Sequence, residues 1–206
     1  VNIAKFAKKL DNRHLPIREQ FGIKPDEILI LTVGRYHPKK GFDLIPGIAS
    51  RLCEKKLGFK WIIAGRNVCE IRKKSPECEK NGLIFTEKFA KFANKDAFDL
   101  PSSELVELYC SADVFALPTL IETFGMVLVE AMAAGLPIIT TSSPGVCDVV
   151  QDGNQAFLVV PGSVDSFAEK LASVVCNKDI RTKLSLNSLA CSKTFDWDSV
   201  VQQYIN

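Results

Sequence analysis

Six short apolar runs set what this chain can fold into. Ile28-Leu29-Ile30-Leu31-Thr32-Val33 stops at Gly34, Trp61-Ile62-Ile63-Ala64 stops at Gly65, and Asp113-Val114-Phe115-Ala116-Leu117 stops at Pro118. Leu83-Ile84-Phe85, Ile138-Ile139-Thr140-Thr141 and Phe157-Leu158-Val159-Val160 complete the set. These runs are apolar at consecutive rather than alternate positions, the pattern of a strand covered on both faces. Helical segments separate them. One spans Gly41 to about Leu57, a charged one Cys69 to Lys80, and one opens after Ser102/Ser103. A further helix runs from Gly125 to Ala134 and is stopped by Gly135 and Pro137, and one is capped at Ser163/Asp165. Strands alternating with helices predict an α/β fold, a Rossmann-like parallel sheet of about six strands with helices on both faces. The 206 residues suit one such domain. Residues 1–25 read as a linker and an N-terminal helical segment. Glu87 to Pro101 reads as a long loop or lid.

A parallel sheet takes ligands beyond the carboxyl ends of its strands, so the segments after each strand carry the chemistry. After the first strand comes Gly34-Arg35-Tyr36-His37-Pro38-Lys39-Lys40-Gly41. It is neither G-x-x-x-x-G-K-[ST] nor G-x-G-x-x-G, which disfavours a P-loop and a dinucleotide site. It still has phosphate-binding parts. Gly34 permits a tight turn, Arg35 offers a planar fork of donors, Lys40 adds a compact charge, and a helix start supplies free N–H groups. As a sequence feature it is equally a solvated basic loop.

After the fourth strand comes Pro118-Thr119-Leu120-Ile121-Glu122-Thr123-Phe124-Gly125, followed by Met126-Val127-Leu128-Val129-Glu130-Ala131. Glu122 falls in the loop. Gly125 falls where the helix begins, so a ligand can approach the N–H groups of Phe124, Gly125 and Met126. Glu130 stands in an apolar helix, and a carboxylate there needs a partner. That partner is either a bound hydroxyl pair or an internal Arg or Lys.

The charges divide unevenly. Residues 1–103 hold 21 Lys/Arg against 12 Asp/Glu, and residues 104–206 hold 5 against 12, inside a total of only +2. The small total argues against a nucleic-acid binder. Arg72-Lys73-Lys74 and Lys88/Lys91/Lys95 leave open a membrane-surface role, against the plainer reading of a solvated face. The seven cysteines include no C-x-x-C, which excludes the usual zinc and redox signatures. They read as buried reduced thiols of a cytoplasmic protein. No apolar run reaches the ~18 residues of a membrane span, and the first residues have no signal-peptide core.

The Glu122…Glu130 pair inside E-T-F-G-M-V-L-V-E-A-M-A-A-G-L-P resembles the signature of the retaining, nucleotide-sugar-dependent glycosyltransferases of group 1, which have the GT-B fold. G-R-Y-H-P-K-K-G resembles that family's phosphate loop. S-A-D-V-F-A-L-P-T and the closing Thr194-Phe195-Asp196-Trp197 are also similar, so the likeness runs from about Asn2 to Tyr204. One loop departs: the family's Gly-Gly-x-Pro-Glu is here Pro144-Gly145-Val146-Cys147-Asp148.

The resemblance implies a chain equivalent to the C-terminal, donor-binding domain alone, with an acceptor domain preceding it. It implies that Arg35 and Lys40 hold the donor diphosphate. Glu122 would contact the sugar hydroxyls, and the N–H groups of Thr123, Phe124 and Gly125 would face the sugar and phosphate. Glu130 would accept from the ribose. Gly34 and Met126 belong to the same donor-binding set, and Gly65 and Arg66 would lie near the base. No cofactor and no metal is expected, the two fixed cations standing in for a divalent ion; the donor would be a UDP-, GDP- or ADP-sugar. The isolated domain is expected to be inactive. The expected partners are that donor and the acceptor domain, with no nucleic acid and a peripheral membrane contact left open. The alternative is a non-catalytic nucleotide-sugar-binding or scaffold module.

Overall fold

The computed structural model describes residues 1–10, 16–90 and 101–196. Six strands, β1 (Ile28–Val33), β2 (Phe59–Ala64), β3 (Leu83–Thr86), β4 (Val114–Ala116), β5 (Ile138–Thr141) and β6 (Ala156–Val159), make one sheet in the order β3-β2-β1-β4-β5-β6. Every neighbouring pair is parallel. The expected α/β sheet is therefore present, with its switch point between β1 and β4. Leu29, Ile30 and Leu31 of β1 and Trp61, Ile62 and Ile63 of β2 are wholly buried. That is why those strands read as unbroken apolar runs.

The helices are α1 (Ile3–Leu10), α2 (Pro16–Gln20), α3 (Ile45–Glu54), α4 (Cys69–Lys74), α5 (Ser103–Ser111), α6 (Met126–Ala133), α7 (Val164–Cys176) and α8 (Lys178–Ser192). The β1–α3–β2 and β4–α6–β5 crossovers run in opposite directions across the sheet. With right-handed connections, α3 and α6 lie on opposite faces. Packing agrees: α3 rests on α7, α6 on α8, and α1 on α5. Ser102 and Ser163 cap α5 and α7, accepting from Leu105 N at 3.2 Å and Ser166 N at 3.3 Å.

Residues 1–10 and 16–25 are more than a lead-in. Phe6 is wholly buried, edge-on to Tyr109 at 6.1 Å between ring centres. Arg18 donates to Asp113 Oδ2 at 3.0 Å, and the same oxygen accepts from Leu29 N at 2.7 Å. This carboxylate ties α2 to the starts of β1 and β4.

Three expectations are corrected. The helix after Gly41 begins later, because 3-10 turns at Pro38–Lys40 and Phe42–Leu44 precede α3. The charged helix breaks at Ser75 and resumes as a 3-10 turn at Pro76–Asn81, since proline supplies no N–H. Of the seven cysteines only Cys78 and Cys110 are buried, while Cys147 and Cys176 are exposed. Cys176 follows buried Val174 and Val175 but closes α7, and the helical turn carries it off their face. The expected lid falls mainly on residues 91–100, outside the described residues; Lys88–Ala90 form a 3-10 turn, with Phe89 buried against Phe21.

Candidate functional site

Loops leaving the carboxyl ends of the strands are laced to one another across the sheet. Thr86 O accepts from Gly65 N at 3.0 Å, and Arg66 O accepts from Tyr36 N at 2.8 Å. Lys39 O accepts from Leu120 N at 2.8 Å and Ile121 N at 3.0 Å, and Thr119 O accepts from Thr141 Oγ1 at 2.7 Å. These contacts bridge β3 to β2, β2 to β1, β1 to β4, and β4 to β5. The link across the switch point is the one that matters most for ligand binding, because the two candidate loops meet there.

Two glycines permit this lacing. Gly41 has φ +65°, and a Cβ on it would stand 1.9 Å from Pro118 O. A Cβ on Gly65 would stand 1.9 Å from Gly34 O. At both places backbone occupies the space of a side chain, so any other residue must push a loop away. The loop after β5 closes in from the other side, Gly145 lying directly against the carbonyls of Glu122 and Thr123.

The residues singled out in the sequence fall along this edge. Lys40 and Glu122 form an ion pair across the switch point, Lys40 Nζ donating to Glu122 Oε2. Glu122 Oε1 accepts from Thr123 N at 3.1 Å, and the side chain is only 8% exposed. Arg35 is exposed and has no ion-pair partner among the described residues. Arg66 is likewise at the surface. Gly125, in the left-handed region, is the N-cap of α6 and offers no side-chain cap. Among the described residues the N–H groups of Phe124, Gly125 and Met126 have no acceptor, as expected of an uncapped helix start. Phe124 and Met126 are 43% and 47% exposed, and Phe124 meets Phe195 edge-on at 6.1 Å.

Glu130 sits one turn into α6, four residues after Met126. Its partner is neither Arg nor Lys: Tyr109 Oη donates to Glu130 Oε2 at 2.8 Å. Burial pushes the Glu130 carboxyl up to about 7, against the opposing pull of the Tyr109 hydrogen bond. Tyr109 is the residue that sequence reading passed over. The available signal was a tyrosine in the apolar stripe of α5, whose buried hydroxyl must find an acceptor.

The basic run of α4 does not form an open cationic face. Arg72 pairs with Glu79, Lys73 with Glu70, Lys74 with Asp43, and Lys80 with Glu77. Lys91 and Lys95 lie outside the described residues. Among the described residues no three His, Cys, Asp or Glu side chains gather to hold a metal, and no helix is long and apolar enough to cross a membrane. The sequence does carry one Asp-x-Asp triplet, Asp196-Trp197-Asp198. Asp196 Oδ1 accepts from Ile3 N at 3.2 Å, and the other two residues lie outside the described set. In chemical terms the edge offers an exposed guanidinium, free N–H groups at a helix start, a carboxylate–ammonium pair and a half-buried carboxylate. It can receive an anion and hydroxyl groups together.

A family model described as glycosyl transferases group 1 matches residues 15–189. The sulfoquinovosyl transferase of Arabidopsis thaliana is 27% identical over all of this chain, which covers 38% of that protein. A D-inositol 3-phosphate glycosyltransferase of Kribbella flavida is 28% identical over 90% of this chain, covering 44% of the relative. The chain thus spans less than half the length of these two relatives. Among solved structures, Anabaena HepE in complex with UDP and glucose superposes with a TM-score of 0.78 at 20% identity, over 100% of this chain and 54% of its own. Sucrose-phosphate synthase from Thermosynechococcus elongatus gives 0.77 at 21% identity, over 99% and 49%.

Proposed function

The chain belongs to the group 1 glycosyl transferases, and from that premise we propose that it binds the nucleoside-diphosphate sugar donor for transfer to an acceptor held by a preceding domain. The observation that carries the reading is the junction at the switch point. There the Lys40–Glu122 pair, exposed Arg35 and the free N–H groups at the start of α6 sit on loops tied together through Lys39 O. The presence of UDP and glucose in a structure of the same fold supports it.

On this reading Arg35, Lys40 and the α6 N-terminus face the diphosphate, Glu122 takes sugar hydroxyls, and Glu130 takes the ribose. Lys40 and Glu122 hold each other until the donor arrives. A diphosphate then replaces Glu122 as partner of the ammonium, and the freed carboxylate accepts from the sugar. As the sugar–phosphate bond breaks, negative charge grows on the leaving diphosphate. Fixed cations and helix N–H groups stabilise that charge more in the transition state than in the ground state. The two cations serve in place of a divalent ion. Attack by the acceptor on the face the diphosphate leaves retains configuration, and no group in this chain serves as a covalent nucleophile. Gly65 and Arg66 lie toward the base, which belongs to a UDP-, GDP- or ADP-sugar. The isolated domain binds donor without turning it over.

The test is a melting-temperature panel of the chain with UDP-, GDP- and ADP-sugars. A rise with one of them is expected, since a ligand bound to the folded state stabilises it by mass action. No rise with any of the three refutes a competent donor site.

A further inference from the structure

We infer that Tyr109 is a positioning residue of the donor site, its hydroxyl holding one oxygen of Glu130 so that the other is presented to a ribose diol. The inference rests on the donor reading above. Tyr109 is wholly buried on α5, its ring set between Phe6 at 6.1 Å and Phe115 at 5.8 Å. A ring packed on both sides cannot swing, so the hydroxyl is a fixed donor. Its recorded hydrogen bond is the one at 2.8 Å to Glu130 Oε2. Burial raises the phenol well above its ordinary value, so it stays protonated and can only donate to a carboxylate.

Glu130 Oε1 has no partner among the described residues. The carboxylate therefore has one oxygen fixed by a rigid neighbour and one left over, one turn beyond the free N–H groups of Phe124, Gly125 and Met126. A diol offers two hydroxyl donors to such an oxygen. The titratable side chain facing Glu130 is that of Tyr109 from α5. From α8 and β5, which also pack on α6, no charged side chain acts on it among the described residues. Among the described residues the Tyr109 hydroxyl is thus the only side-chain donor holding the ionised form, the form that accepts hydroxyl hydrogen bonds.

Tyr109→Phe removes the hydroxyl and keeps the ring. Two measurements on the full chain separate a positioning role from a structural one. The first is the Glu130 titration followed by side-chain carboxyl NMR in wild type and variant. The second is the affinity for whichever of UDP, GDP and ADP binds wild type tightest, from about pH 5 to about pH 9, beside its 2′-deoxy analogue. In wild type, affinity should fall by about tenfold per pH unit below the Glu130 midpoint. In Tyr109→Phe the midpoint should rise by about one unit and affinity near pH 7 should drop by about fivefold, recovering toward pH 9. The 2′-deoxy analogue should lose much less. Glu130→Gln, whose amide oxygen can accept from Tyr109, should abolish the pH dependence and guards against a variant that fails to fold. An unmoved Glu130 midpoint, or an affinity loss equal at every pH, overturns the positioning role and leaves the donor reading standing. Failure of all three nucleotides to bind wild type removes both.

Discussion

The Lys40–Glu122 pair shows how two residues with separate expected roles can be each other's partners. Each was legible from its place after a strand, and their union was not, because 81 intervening residues separate them in the sequence and only the sheet order brings their loops together. If Lys40 grips the diphosphate, Lys40→Ala in the full enzyme should lower kcat by about 10²–10³-fold; steady-state kinetics with saturating donor would show it, and wild-type turnover would refute it. Glu130 makes a second prediction, on stability. Its carboxyl titrates near 7 when folded against 4.5 unfolded, so between those values the folded state binds more protons. Its contribution is therefore fully present below about pH 4.5 and is lost as pH rises to about 7. Denaturant unfolding across that window should show wild type losing stability relative to Glu130→Gln, whose side chain does not titrate.

At the scale of elements, strands were the easiest to read and loop geometry the hardest. Buried on both faces, β1 and β2 announce themselves as apolar runs, and the serine caps of α5 and α7 stand where their sequence places them. The start of α3 was misread because helical periodicity continues through residues that form 3-10 turns instead, behind a left-handed Gly41. That turn is needed to bring Lys39 O within reach of Leu120 N and Ile121 N. Gly41→Ala adds a Cβ where Pro118 O already stands, in a conformation that alanine rarely adopts. The two loops must separate, and a loss on the order of 2 kcal/mol or more in unfolding free energy is expected. Nucleotide affinity should fall with it, since the junction that aligns Lys40 and Glu122 is the part displaced. Calorimetry of unfolding, and of binding of whichever of UDP, GDP and ADP wild type takes tightest, would measure both, and a variant as stable as wild type would refute the account.

For the whole molecule, the uneven charge is less directional than composition suggests. Twenty-one basic residues in the first half invite an anionic surface as partner, yet the four cations from Glu70 to Lys80 are all paired, three within that run and Lys74 to Asp43. Exposed pairs of this kind contribute little to stability, but they cancel the field that would draw a run of lysines to lipid. The chain should therefore sediment no more with vesicles containing anionic lipid than with neutral ones near 0.15 M salt; strong selective binding would point to basic residues outside this run. By itself the sequence determined the class of fold and the kinds of group carried by the loops after β1 and β4. Strand burial and loop composition are local properties, written in consecutive residues. Tertiary structure alone decided that β1 and β4 are neighbours, that Lys40 closes on Glu122, and that Glu130 is held by a tyrosine rather than a cation. Each of those depends on which distant segments the sheet order sets side by side, and no local pattern encodes that order.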